Sequence, residues 1–195
     1  VEIEGKLVKE KYFDKELQRR ILDYVVEKNY CLLSGQGNDW CTSSIERFKE
    51  IASPKQQQLL PKSGEAYKAL YEKQIPSMFL ADTKEAIADV QEHFPETKLL
   101  CMGDELGGAD MIPKENGKVK GAECVMDYYH ASWDDIIAIG DSMNDIELIQ
   151  AAGFGIAMGN AMDEVQEAAD YVAKHIDQNG FADAVSKARE EIAKR

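Results

Sequence analysis

Asp141, Asn144 and Asp145 fall within one short run, Ile136-Ile137-Ala138-Ile139-Gly140-Asp141-Ser142-Met143-Asn144-Asp145-Ile146-Glu147-Leu148. Two carboxylates so close can hold a hard cation. Mg²⁺ suits them, because it takes one or two carboxylates, keeps several waters and leaves positions for phosphate oxygens. Acids alone would repel phosphate. A lone D-x-x-N-D is more often an N-capping Asp beside a solvated one that complements the helix dipole, so the flanks must decide.

Before Gly140 stand four apolar residues, three of them β-branched, which is the composition of a short buried strand, and Gly140 permits a sharp turn. From Asn144 the period becomes helical, with Ile146, Ile149 and Gly153 on one face. Asp141 therefore belongs at the carboxyl edge of a strand and Asp145 in the first turn of a helix. Ligands of open parallel sheets collect there, and helix N-termini offer free N–H groups to phosphate. A second strand, Phe154-Gly155-Ile156-Ala157-Met158, follows Ala151-Ala152-Gly153, and Gly159-Asn160-Ala161 leads into Asp163-Glu164-Val165. Two successive strand-turn-helix units point to a parallel α/β sheet.

The stretch IAIGDSMNDIELIQAAGFGIAMGNAMDEVQEAADYV resembles the fourth motif and following strand of haloacid dehalogenase (HAD)-type phosphatases, in particular the Cof-like group with a type IIB cap. Asn179-Gly180-Phe181-Ala182 resembles that family's segment before its last helix, and Lys120-Gly121-Ala122 its phosphate-binding lysine motif. The likeness is specific over 108–185 and looser over 1–107. It implies a HAD-like Rossmannoid parallel sheet with an inserted α+β cap domain. It also implies that Asp141 binds Mg²⁺ directly, that Asp145 supports the metal, and that Lys120 and Asn144 hold the phosphate. Lys118 competes with Lys120 but is not followed by Gly-Ala. A cation at a helix N-terminus is disfavoured by about 0.3–1 kcal/mol unless an anion binds there.

The remaining elements must carry this site. Val1 to Val8 alternates about Gly5-Lys6 as a hairpin does. Asp14 can cap a helix bearing Leu17, Ile21, Tyr24 and Val25. Strands are expected at 30–34 and 40–42 about a turn at 35–39, and Gly35-x-Gly37 lacks the helix a phosphate loop needs. Ile45, Phe48 and Ile51 suggest a helix ended by Pro54. An exposed connection then leads to a short helix with Ala66, Leu70 and Tyr71. Strands at 76–81 and 97–102 flank a helix with Ile87, Val90 and Phe94 inward. Residues 107–113 resemble the family's return strand, with a hinge at 113–117. The expected division is residual core hairpin and linker 1–12, α+β cap 13–107, and C-terminal half of the core 108–195.

With 23 basic and 36 acidic side chains the net charge is −13, and no basic stripe appears, so nucleic acid and anionic membranes are poor partners. No apolar run approaches the ~20 residues of a membrane helix, and no signal-peptide core is present. The chain reads as cytoplasmic. Cys31, Cys41, Cys101 and Cys124 have no metal-ligand spacing and suit reduced thiols.

The family's chemistry begins with D-x-D-G-T, whose first Asp attacks phosphorus, and these 195 residues contain no such segment. The expectation is a Mg²⁺-dependent phosphatase of small phosphorylated metabolites such as sugar phosphates, present as a fragment without its nucleophile and inactive alone. The alternative is a non-catalytic remnant that at most binds metal, phosphate or a partner. A missing central strand would leave the Ile136–Ile139 edge unpaired and open to self-association.

Overall fold

Glu4 and Gly5, both with left-handed backbone, turn strand β1 (Glu2–Ile3) into antiparallel β2 (Lys6–Leu7), one position earlier than the alternation suggests. The computed structural model describes residues 1–36, 39–54, 56–59, 61–101 and 108–194. It divides into two compact units, Val1–Lys9 with Asn116–Arg195, and Glu10–Glu115.

In the unit Glu10–Glu115, helix α1 (Lys15–Glu27) begins where Asp14 accepts from the N–H groups of Glu16 and Leu17, the cap its sequence foretells. Strands β3 (Leu32–Gln36) and β4 (Asp39–Thr42) pair antiparallel; the centre of the expected turn, 37–38, lies outside the described residues. Helices α2 (Ile45–Ile51), α3 (Glu65–Lys68) and α4 (Lys84–His93) are interleaved with β5 (Met78–Leu80), β6 (Thr97–Cys101) and β7 (Ala109–Pro113). The five strands form one antiparallel sheet, ordered β4-β3-β5-β7-β6. Ala109–Pro113 thus lies between β5 and β6, whereas the sequence reading places it with the C-terminal part. Its alternation specifies a strand but not the sheet that accepts it.

Ile21, Leu22 and Val25 of α1 and Ile87 and Val90 of α4 share one core with Leu32, Met78, Leu80 and Met111. Each side chain so buried contributes about 1.5–3 kcal/mol relative to exposure. Asp82, whose side chain is fully buried, accepts from Arg47 (Nη2, 2.7 Å; Nε, 3.2 Å) and from the N–H groups of Cys31 and Thr83. Burial alone would raise its pKa; Arg47 and the two amides outweigh burial and lower it. Burial pushes the Cys31 thiol up to about 11, so it is inert. Cys101, by contrast, is exposed. On the outer side of β6, the Gln91 amide accepts from Leu99 N–H (3.0 Å) and donates to the Thr97 carbonyl (3.3 Å).

The other unit continues from its hairpin with α5 (Lys118–Tyr129), β8 (Ile137–Gly140), α6 (Ile146–Ala151), β9 (Phe154–Ala157), α7 (Asp163–Glu167), β10 (Tyr171–Val172) and α8 (Gly180–Ile192). Its strands form the expected parallel sheet, ordered β10-β9-β8. The two-residue β10 has too short a pattern to be read from sequence. Ile149 and Val165 pack with Ala138 and Ala157, while Ile156 and Met158 pack with Ala184 and Ala188. No described strand pairs with the far side of β8. Among the described residues no helix is long and apolar enough to cross a membrane.

Candidate active site

The strand β8 ends at Gly140, and the next five residues build the site. Gly140 is needed for space rather than for turning: a Cβ there would stand 2.3 Å from Asp145 Cβ, and its φ is not among the left-handed values. Asp145, only 8% exposed, closes the turn. Its Oδ2 accepts from the N–H groups of Asp141 (3.1 Å) and Ser142 (3.3 Å), and its own N–H donates to the Ser142 carbonyl (2.9 Å).

Asp145 Oδ1 accepts from Lys118, whose ammonium also donates to Asn144 Oδ1 at 2.8 Å. Burial pushes the Asp145 pKa up, but the Lys118 bond, the two backbone amides and the Lys118 charge together bring it below the ordinary carboxylate value. Lys118 opens α5 directly after Gly117, which has φ +151°, a conformation costly for any side chain.

Lys118, not Lys120, is therefore the lysine that reaches Asn144 and Asp145. Lys120 Nζ instead donates to both oxygens of Glu123, at 3.0 and 2.8 Å. Two positions along a helix turn a side chain through about 200°, so the two lysines leave α5 in nearly opposite directions. The helix starts two residues before the Lys-Gly-Ala match, and Gly117 was the available signal for its boundary. Ser142 and Asn160 are also part of the cluster and were not singled out by the sequence. Ser142 Oγ donates to Asn144 Oδ1 at 2.8 Å, and Asn160 Nδ2 lies 3.5 Å from Asp141 Oδ2.

Asp141 is exposed at the carboxyl end of β8, and that long contact is its only side-chain partner among the described residues. Its oxygens remain available to a cation, whereas both oxygens of Asp145 are engaged. No cluster of three or more His, Cys, Asp or Glu forms among the described residues. One free carboxylate with a second behind it, all oxygen donors, fits Mg²⁺, which leaves much of its shell to water and phosphate.

A strand-end carboxylate pair, a lysine and a carboxamide thus meet at the carboxyl edge of a parallel α/β sheet. The chain belongs to the haloacid dehalogenase-like hydrolase family, which it matches over residues 1–185. It is 38% identical over 94 residues to YkrA of Bacillus subtilis (strain 168), covering 48% of this chain and 36% of that one. It is 41% identical over 73 residues to the 5-amino-6-(5-phospho-D-ribitylamino)uracil phosphatase YwtE of the same organism, covering 37% and 26%. The matches thus span about a third or less of these curated relatives.

The solved structure of the HAD subclass IIB sugar phosphatase BT4131 shares the fold, with TM-score 0.78 and 21% identity over 98% of this chain and 71% of that one. BT1666 from Bacteroides thetaiotaomicron gives 0.79 and 22%, over 94% and 68%.

Proposed function

We propose that Asp141, Asp145, Asn144 and Lys118 form the metal- and phosphate-binding part of a Mg²⁺-dependent phosphatase acting on small phosphorylated metabolites such as sugar phosphates. The convergence of the Lys118 ammonium with Asn144 and Asp145, beside the exposed Asp141, carries this reading. Two carboxylates and one ammonium sum to −1, which disfavours phosphate; Mg²⁺ held by Asp141, with Asp145 behind it, reverses that sign and neutralises charge on the phosphoryl oxygens. Lys118 supplies a movable point charge for the same oxygens. Asn144 offers an amide N–H to them.

Hydrolysis also needs an attacking group. The 195 residues hold no D-x-D-G-T segment, which favours a second reading for these residues by themselves: a module that binds metal and phosphate without turnover. Titration with inorganic phosphate in the presence and absence of Mg²⁺, followed by NMR at Asn144 and Lys118, tests the site. Mg²⁺-dependent shifts at both residues are expected; shifts at neither would overturn it. Turnover of an aryl phosphate by the 195 residues, abolished by Asp141→Ala, would overturn the second reading.

A further inference from the structure

We propose that Ser142 is a positioning residue for anion binding: its hydroxyl fixes the Asn144 amide so that the NH2 group faces the ligand. This rests on the phosphate-site reading above. Asn144 Oδ1 receives two donors, Lys118 Nζ and Ser142 Oγ, each at 2.8 Å. An ammonium can only donate, so the amide cannot be reversed while Lys118 occupies that oxygen. Nδ2 is consequently the end left over, and no described residue accepts from it.

Lys118 is an unreliable guard of this orientation. Its ammonium already serves Asp145, and an anion beside it competes for the same protons. Once Lys118 turns to phosphoryl oxygens, Ser142 is the donor that remains on Oδ1, and because a hydroxyl could also accept from a reversed amide, the anion facing Nδ2 supplies the remaining bias. Ser142 is itself held in a closed turn: its N–H donates to Asp145 Oδ2 at 3.3 Å and its carbonyl accepts from Asp145 N–H at 2.9 Å. The hydroxyl's other acceptor, Asp145 Oδ2, is more distant at 3.5 Å, so Asn144 is the preferred one.

The test is inorganic phosphate binding by the 195-residue chain with Mg²⁺ present, read by calorimetry and by the Asn144 side-chain amide resonances. Ser142→Ala should weaken phosphate about tenfold, the effect of one misplaced hydrogen bond to a charged ligand, with the melting midpoint unchanged. Ser142→Thr, which keeps the hydroxyl, should recover binding to within about twofold of the parent. The double variant Ser142→Ala/Asn144→Ala should bind no more weakly than Asn144→Ala alone, because Ser142 acts through that amide. Parent-like binding by Ser142→Ala, or losses that add in the double variant, overturns the inference while leaving the phosphate site standing. Parent-like binding by Asn144→Ala, or no binding by the parent, overturns the phosphate site and this inference with it.

Discussion

Lys118 and Asp145, 27 positions apart in sequence, form an ion pair in which the carboxylate is largely buried and the ammonium about half exposed. The pair ties the first residue of α5 to the residue that precedes α6, so the site is braced by two helices rather than by its loop alone.

Lys118→Ala should therefore weaken phosphate binding by about ten- to a hundredfold, the range for a lost hydrogen bond to a charged group. Lys120→Ala should stay within about threefold, because its pair with Glu123 is an exposed one-turn contact of the kind that contributes only ~0.2–0.5 kcal/mol. Calorimetric titration of the two variants side by side checks this.

Asp141→Asn should lower Mg²⁺ affinity while leaving the fold intact, since the side chain is exposed with one long contact. Raising Mg²⁺ should restore its phosphate binding, and the same addition should not rescue Lys118→Ala. Phosphate affinity measured across a Mg²⁺ series separates the two defects.

Gly140→Ala should displace Asp145, because the added carbon would meet Asp145 Cβ at 2.3 Å. The expected cost is about 1–3 kcal/mol of stability, as for other overpacked sites, together with loss of the Asp141 and Ser142 amide contacts. Urea midpoints and the amide shifts of 141 and 142 report both.

Asp82 and Asp145 both have carboxyl pKa values lowered in the folded state. Their contribution is thus complete above the unfolded carboxylate value of about 4 and is lost as pH falls through their lower folded values. Asp82→Asn should flatten the acid limb of a stability-versus-pH curve. Asp82→Ala should cost about 1–3 kcal/mol by leaving the Cys31 and Thr83 N–H groups without their acceptor, while Arg47 keeps its pair with Glu50.

The side of β8 with which no described strand pairs should promote association of chains at high concentration. Sedimentation velocity over a concentration series, with hydrogen exchange at Ile137 to Gly140, is the check. A single monomeric species with unchanged exchange at every concentration would contradict it.

Much of this molecule could be read from the chain. Asp14 announces α1, the apolar run before Gly140 announces β8, and the two strand-turn-helix units give the parallel sheet. These are local signals. What stayed hidden depends on distant partners: the seat of Ala109–Pro113 between β5 and β6, and the contact of Lys118 with Asn144. The motif match starts the helix two residues late, at Lys120 rather than Lys118, and at 100° per residue those two side chains point to opposite faces. Ser142 escaped notice because nothing in a hydroxyl's neighbours along the chain says which acceptor it will find.

Gln91 gives the antiparallel sheet an ending made of a side chain rather than a strand. Its amide imitates the peptide group of a neighbour, so pairing at the Thr97 carbonyl and the Leu99 N–H of the β6 edge competes with one side chain of α4. A rotamer change would release the lock without unfolding the helix, and one substitution would remove it for good. Lengthening this sheet by a sixth strand, in a descendant of the chain or in a designed variant, starts at position 91.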